Sequence, residues 1–152
     1  MIHGVEIKEL VTHTDERGLF REVIRKSDDI FPEGFGQWSH TISYTGVAKA
    51  WHVHQKQTDW WYVAVGTIKT ALYDTRPDSP THGELQELLM GEGHPAIALK
   101  IPPGVARGYR VLDGPAHVFY IVSHEYDATD EGRIPPDDGE IGYNWAAWPE
   151  IT

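Results

Sequence analysis

The chain has 152 residues, a formal net charge of −10 at pH 7 and no cysteine. This length predicts one domain over residues 1–152, large enough to bury a core of its own. The negative charge argues against a nucleic-acid or anionic-membrane partner, because lysine and arginine hold such partners. The sequence has no apolar run long enough to cross a membrane, and its first residues lack the pattern of a secretion signal. We therefore expect a soluble, cytoplasmic protein without disulfide bonds.

Short segments in which apolar and polar residues alternate run through the chain, with turn residues between them. They predict strands at residues 5–11, 19–24, 37–44, 47–54, 60–65, 67–73, 85–90, 96–101, 109–112 and 117–122. Short strands separated by frequent turns indicate an all-β sandwich or barrel. Gly66 divides two of the strands, and Asp113, Gly114 and Pro115 form a turn between the last two. Residues 127–142 are acidic and proline-rich, so we expect irregular surface structure there.

Two histidines that lie two residues apart mark the candidate site. On a strand, a side-chain period of two places His52 and His54 on one face and Trp51 and Val53 on the other. The polar residues 55–59 that follow are typical of a hairpin-like corner before the next strand. We expect both imidazoles to point into the space that the sheet encloses. Two hydrogen-bonded histidines on a half-buried face would produce the same pattern.

The spacing of glycines and histidines from Gly46 to Gly66 resembles the first motif of the cupin superfamily, with Asp59 where cupins usually carry glutamate. Further motifs, in the same order along most of the chain, resemble the dTDP-4-dehydrorhamnose 3,5-epimerase family. They are DERGLFRE at 15–22, Gln37 with Thr41 and Ser43, GVAKAWH at 46–52, YDTRPDSPTHG at 73–83, IPPGVARGY at 101–109 and VFYIVSHEY at 118–126. The resemblance implies an all-β cupin double-stranded β-helix, which is a jelly-roll barrel.

The resemblance also implies roles for individual residues. It places His52 on the family's catalytic histidine and Tyr120 on its catalytic tyrosine. The other implied substrate-binding residues are Arg17, Glu22, Gln37, Lys49, His54, Arg107 and Tyr126. A base beside a ketone can remove the neighbouring proton when a donor stabilises the enolate, and imidazole is largely neutral at pH 7. Lys49 or another nearby cation is the candidate donor, and Tyr120 is the candidate acid that returns a proton.

The implied function is epimerisation or isomerisation of a nucleotide-linked 4-keto-6-deoxy sugar, without a cofactor. The implied assembly is a homodimer that exchanges or pairs amino-terminal strands. Several cations could hold the diphosphate of such a substrate, namely Arg17, Arg21, Lys49, Arg76 and Arg107.

The chain departs from the family pattern at positions close to the implied site. Lys49 and Ala50 replace an arginine and a glycine before the histidine, which keeps the charge but loses the bidentate fork. Asp59 stands where the family carries a lysine, and Arg107 stands where it carries a histidine. The substrate could therefore differ from the rhamnose precursor.

A fourth departure concerns the carboxylate that orients the catalytic histidine. In the family this is an aspartate beyond the tryptophan that corresponds to Trp145, in a segment that the present sequence lacks. We expect the imidazole to be less well oriented unless Asp137, Asp138 or another carboxylate replaces that aspartate.

Two alternative functions follow from the same residues. His52, His54 and Asp59 supply two imidazoles and a carboxylate, a ligand set for iron, manganese or zinc with open positions. A divalent metal there would indicate an oxygenase or a metal-dependent isomerase, although Arg107 stands where the general cupin pattern adds a histidine. The other alternative is a cupin that binds a sugar nucleotide without catalysis.

Overall fold

The computed structural model describes residues 1–147, and within this range the chain forms ten β-strands and no α-helix. The strands are β1 (Glu6–Glu9), β2 (Thr12–Asp15), β3 (Gly18–Arg21), β4 (Gln37–Ser43), β5 (Ala48–His54), β6 (Asp59–Asp74), β7 (Leu85–Gly91), β8 (Ile97–Ile101), β9 (Val105–Val122) and β10 (Glu131–Arg133). A search of the same residues finds no helix with the length and apolar character needed to span a membrane.

Two long strands, β6 and β9, pair with each other and organise an antiparallel sheet of eight strands. The first part of β6 pairs with β8 and its second part with β7. In the same way, the first part of β9 pairs with β5 and its second part with β4. The two long strands thus belong to both halves of a jelly roll, which confirms the predicted cupin fold. Strands β2 and β3 form a separate two-stranded sheet.

The structure corrects the prediction that β6 and β9 are each two shorter strands. Gly66 bends β6 without ending it, and the pairing with β9 changes register on both sides of this residue. Its φ is +77°, and an added Cβ would lie 2.6 Å from the carbonyl oxygen of Asp113. Glycine is therefore required where the strand passes from one half of the jelly roll to the other.

The segment 55–59 is a crossing between the two halves of the fold, so the predicted hairpin-like corner is wrong. A hairpin would pair β5 with β6, whereas β5 pairs with β9 and β10. Alternating polar and apolar residues indicate a strand but do not identify its partner.

The main hydrophobic core lies between the two halves and includes the fully buried Ile68, Leu72 and Leu99. A second cluster lies against the other face of β5, where Trp51 and Val53 pack with Trp145. The predicted division of β5 into a histidine face and an apolar face is therefore confirmed.

Candidate active site

A cavity of about 320 Å³ lies inside the jelly roll, a size typical of small-molecule sites. Trp61, Tyr109 and Val118 belong to the main core and also line this cavity, so the core forms part of its wall. Seven of the nine residues predicted for catalysis or substrate binding line it, namely Gln37, Lys49, His52, His54, Arg107, Tyr120 and Tyr126. The structure thus brings together residues from three strands and one loop.

A bulge in β5 allows both Lys49 and His52 to face the cavity. Residues three apart on a regular strand point to opposite faces, but the pairing of β5 with β9 shifts register between these two residues. Lys49 Nζ donates a hydrogen bond to Thr41 Oγ1 at 3.1 Å and is largely exposed. Lys49 therefore lies towards the solvent, while His52 and His54 are only partly exposed.

Glu131 is the carboxylate partner of His52. Strand β10 pairs with the edge of β5, and Glu131 Oε1 lies 3.1 Å from His52 Nδ1. Burial by itself raises the pKa of Glu131, but the hydrogen bond with His52 and the nearby Arg133 outweigh it and hold this pKa below its usual value. The carboxylate is therefore charged at pH 7, where it can orient the imidazole and stabilise its protonated form.

The carboxylate that contacts His52 is thus a residue that the sequence did not identify. Glu131 lies in the segment predicted to be irregular, of which residues 131–133 form a strand. Asp138, one of the proposed replacements, instead accepts backbone N–H groups from Glu140 and Ile141. A strand of three residues carries no detectable periodicity, so no local signal in the sequence marks Glu131.

His54 lies deeper than His52 and has a different environment. Its Nδ1 is 3.4 Å from Asp130 Oδ2 without the geometry of a hydrogen bond, and Asp130 accepts the backbone N–H groups of residues 55–57. Burial, and then the positive charge of Arg107, lower the pKa of His54. The ring is therefore neutral at pH 7 and can serve as a polar contact for a ligand.

Arg107 and Asp59 form a buried ion pair in the cavity wall. Arg107 Nη2 lies 3.4 Å from Asp59 Oδ1, and the two residues are 1% and 4% exposed. Asp59 also accepts hydrogen bonds from Gln57 Nε2 at 2.8 Å and Trp61 Nε1 at 3.2 Å. Its carboxylate is thus already occupied by three protein groups.

The alternative metal site does not assemble from His52, His54 and Asp59. His52 is paired with Glu131, and Asp59 is occupied by Arg107 and its neighbours. Within residues 1–147, no group of three or more His, Asp or Glu side chains is arranged to hold a metal ion. The metal-dependent alternative is therefore not favoured.

Tyr120 presents a protonated hydroxyl to the cavity. It lies on β9 between Ser39 of β4 and Trp61 of β6, where its side chain is about half-buried. Burial and then the nearby negative charge of Asp59 raise the pKa of Tyr120. The phenol therefore keeps its proton at pH 7, so the hydroxyl is a donor that faces the cavity.

Gln37 and Tyr126 lie together at one side of the cavity. Gln37 Oε1 accepts the backbone N–H of Tyr126 at 3.0 Å, and Gln37 Nε2 donates to Ser39 Oγ at 3.2 Å. The ring of Tyr126 is 67% exposed. These contacts order the backbone at residue 126 and leave an aromatic face available to a ligand.

Arg17 and Glu22 lie outside the cavity of their own chain. Arg17 is in the turn between β2 and β3, where it forms an exposed ion pair with Asp15. Glu22 follows β3 and forms an ion pair with Arg25. The structure therefore does not bring these two predicted residues to the site of the same chain.

The jelly roll and these contacts define a cupin with a site for proton transfer, in which one cavity contains an imidazole oriented by a carboxylate and a protonated tyrosine. Comparison with known proteins is more specific. A family model described as dTDP-4-dehydrorhamnose 3,5-epimerase matches residues 1–152, and the chain belongs to this family.

Individual relatives agree with the family match. The spore coat polysaccharide biosynthesis protein SpsL of Bacillus subtilis (strain 168) is 47% identical over 148 residues, which cover 95% of this chain and 97% of that protein. A dTDP sugar isomerase from Desulfovibrio desulfuricans G20 has a TM-score of 0.91 at 30% identity, with 97% of this chain and 94% of that chain covered. The dTDP-6-deoxy-D-glucose-3,5-epimerase of Legionella pneumophila in complex with dTDP-4-keto-L-rhamnose has a TM-score of 0.86 at 25% identity, with 99% and 83% covered. Family and relatives together indicate a sugar-nucleotide epimerase or isomerase.

Proposed function

We propose that this protein inverts a carbon next to the ketone of a dTDP-linked 4-keto-6-deoxy sugar. The observation that carries the proposal is the hydrogen bond between His52 and Glu131 in a cavity that Tyr120 also lines. A base with an orienting carboxylate and a separate acid are the two groups that epimerisation next to a ketone needs. Membership of the epimerase family supports the same reaction.

The contacts of His52 suggest a direction for the proton transfer. When Nδ1 carries the proton shared with Glu131, Nε2 has the free lone pair and accepts the proton from the carbon beside the ketone. The electrons of the broken C–H bond form the enolate, with negative charge on the former carbonyl oxygen. The Tyr120 hydroxyl then gives its proton to the opposite face of the carbon, and the carbonyl re-forms. Solvent returns the imidazolium and the tyrosinate to their starting states.

The substrate class rests on the relatives. The Legionella pneumophila structure is described as a complex with dTDP-4-keto-L-rhamnose, and the Desulfovibrio desulfuricans protein as a dTDP sugar isomerase. The Bacillus subtilis relative is named for spore coat polysaccharide biosynthesis. We assign to this chain, by analogy, a cytoplasmic role in deoxysugar biosynthesis that requires no cofactor.

A homodimer would give a role to the two predicted residues that lie outside the cavity. Arg17 lies in the turn between β2 and β3, and Glu22 directly follows β3. The small sheet that these two strands form does not pair with the main sheet within residues 1–147. In an assembly that pairs amino-terminal strands, this sheet can carry Arg17 to the cavity of the partner subunit. We assign Arg17 that position.

Deuterium exchange tests the reaction directly. Proton NMR of dTDP-4-keto-6-deoxyglucose in deuterium oxide would be recorded with wild type, His52→Ala, Tyr120→Phe and no enzyme. Wild type is expected to exchange a proton next to the ketone. The exchange rate of His52→Ala should be lower by at least about 100-fold. Tyr120→Phe should still exchange the proton through His52 but should lose inversion, because no acid serves the opposite face.

His3→Ala is the matched control, since His3 is exposed and does not line the cavity. It should exchange at the wild-type rate. Wild-type exchange no faster than the sample without enzyme contradicts the proposal for this substrate. If the wild-type protein does not exchange but binds dTDP tightly, it is a sugar-nucleotide-binding cupin without catalysis. A stoichiometric divalent metal after purification without added metal would support the metal-dependent alternative.

A further inference from the structure

Arg107 has hydrogen-bonding capacity that the protein itself does not use. Its side chain is 1% exposed, and none of its three guanidinium nitrogens makes a hydrogen bond within residues 1–147. Its one ion-pair contact there, with Asp59, is at 3.4 Å, longer than a good charge-assisted hydrogen bond. Buried polar groups are nearly always hydrogen-bonded, and an unsatisfied cation is costly. Since Arg107 lines the cavity, a ligand is the natural acceptor.

Asp59 holds the guanidinium in place without satisfying it. Gln57 Nε2 and Trp61 Nε1 donate to the two carboxylate oxygens of Asp59, which fixes its orientation. The two members of the pair come from different parts of the fold, because Asp59 lies where β6 pairs with β8 and Arg107 lies where β9 pairs with β5. Arg107 is therefore oriented before a ligand arrives, which is the condition for strong electrostatic stabilisation.

The charge of the site distinguishes between two roles for Arg107. A diphosphate carries at least two negative charges, but Arg107 and Asp59 together have no net charge and are fully buried. A single oxygen atom that becomes negative during the reaction needs only oriented donors in a site that excludes water. Lys49, the other candidate, is exposed and donates to Thr41. The buried position therefore favours the enolate over the diphosphate.

We propose that Arg107, held by Asp59, is a catalytic residue that donates hydrogen bonds to the ketone oxygen of the sugar and stabilises the enolate. This assignment rests on the proposed epimerase function. As His52 Nε2 takes the proton, the electron pair of the C–H bond becomes the carbon–carbon double bond and the carbonyl electrons move to the oxygen facing Arg107. When Tyr120 protonates the carbon, the negative charge leaves that oxygen. His54, which is neutral at pH 7, adds no second cation near Arg107.

The test compares enolisation with nucleotide binding in Arg107→Gln and Arg107→Lys. Deuterium exchange into dTDP-4-keto-6-deoxyglucose at saturating substrate reports the enolate, and the Kd of dTDP by calorimetry reports the diphosphate contacts. Arg107→Gln should slow exchange by about 100- to 1000-fold, the usual effect of removing an oxyanion donor. The exchange rate of Arg107→Lys should lie between those of Arg107→Gln and wild type, because lysine keeps the positive charge but cannot donate two parallel hydrogen bonds as arginine does. Both variants should bind dTDP within about threefold of wild type if no phosphate contact is lost.

Two further variants complete the design. Arg110→Gln is the control, because Arg110 lies on the same strand and donates to the backbone oxygens of Trp145 and Ala146. It should exchange at the wild-type rate. If Arg107→Gln does not fold because Asp59 is left without its cation, the double variant Asp59→Asn with Arg107→Gln removes both charges and carries the same expectation.

Three outcomes would overturn the assignment. Exchange by Arg107→Gln, or by the double variant, within about threefold of wild type would show that Arg107 does not stabilise the enolate. A large loss of dTDP affinity with unchanged exchange at saturation would place Arg107 on the diphosphate. Wild type that binds dTDP but does not exchange would instead remove the proposed function, and this assignment with it.

Discussion

Residue scale: the imidazole of His52 has two different nitrogen environments. Nδ1 faces Glu131, and Nε2 is left for a substrate. The hydrogen bond and Arg133 hold the pKa of Glu131 below its usual value, so this carboxylate stays charged at pH 7 and favours the imidazolium that forms when His52 takes a proton. In the proposed reaction, Glu131 is therefore a positioning residue, which acts on the substrate through His52.

Replacing Glu131 by Gln should lower the exchange rate at pH 7 by at least about 10-fold. Loss of the carboxylate that orients an imidazole base can lower the rate of catalysis by up to about 10⁴-fold. The Kd of dTDP should stay within about threefold of wild type, because Glu131 acts through the imidazole. Exchange rates at pH 7 with saturating substrate and the Kd of dTDP would be measured for wild type and Glu131→Gln.

Glu140→Gln, in the same carboxy-terminal segment but exposed, is the control and should behave as wild type. An exchange rate of Glu131→Gln within about threefold of wild type would contradict the positioning role. A merely structural defect would lower the exchange rate and the dTDP affinity together.

Element scale: the turn after β6 is organised by one buried carboxylate. Asp74 accepts hydrogen bonds from Arg76 Nε at 2.8 Å, Ser79 Oγ at 2.6 Å and Thr81 Oγ1 at 2.6 Å. Burial by itself raises the pKa of Asp74, but these donors outweigh burial and hold the pKa far below its usual range. This explains why the motif at 73–83 combines an aspartate with an arginine, a serine and a threonine at those spacings. Arg76, one of the cations considered for the diphosphate, is thus engaged in the turn.

Asp74→Asn should lower the free energy of unfolding at pH 7 by about 2–4 kcal/mol, because it breaks a buried, multiply hydrogen-bonded ion pair. Since the folded-state pKa is depressed, the stabilisation is fully present above the pKa of aspartate in the unfolded chain and is lost as the pH falls below it. Urea unfolding of wild type and variant would be compared from pH 7 down to about pH 3.

The difference between wild type and Asp74→Asn should shrink as the pH falls. Asp78→Asn is the control, because Asp78 is an exposed carboxylate in the same turn. A difference that is independent of pH, or one no larger than that of Asp78→Asn, would show that Asp74 does not organise the turn through its charge.

Whole-molecule scale: β3, which lies between Arg17 and Glu22, has exposed apolar side chains, and β4 has an exposed tryptophan and an open edge. Leu19 and Phe20 on β3 are 58% and 61% exposed, and Trp38 on β4 is 66% exposed. Within residues 1–147, β4 pairs with β9 alone, so its other edge is open. Open edges and exposed apolar surface are typical of interfaces, which supports the proposed homodimer.

Complementation tests whether Arg17 serves the partner subunit. Arg17→Ala and His52→Ala chains with different tags would be co-expressed, and the mixed dimer purified by both tags. If Arg17 reaches across, one of the two sites has both wild-type residues, and the mixed dimer should show about half of the wild-type exchange rate. The dimer itself would be checked by light scattering.

If Arg17 acts in its own subunit, both sites of the mixed dimer lack one residue and activity does not recover. A protein that is monomeric by light scattering at micromolar concentration would contradict the homodimer. The dimer of two His52→Ala chains is the control, and it should remain inactive.

The sequence by itself determined the class of fold, the family and seven of the residues that line the cavity. Strand alternation is a local property, so it correctly placed His52 and His54 on one face of β5 and Trp51 on the other. The motifs also identified Arg107 and Tyr120 as site residues, although only Tyr120 fell within a predicted strand; both residues lie on β9.

Only the tertiary structure decided which charged groups meet. Glu131 lies 79 residues from His52 and reaches it because a three-residue strand pairs with the edge of β5, an arrangement without a local sequence signal. The contact between Asp59 and Arg107 likewise depends on two strands in facing halves of the fold. Backbone pairing is specified by many weak, distant contacts, whereas periodicity is specified by neighbours along the chain. For that reason the sequence predicted the faces of the strands, and the fold decided the partners.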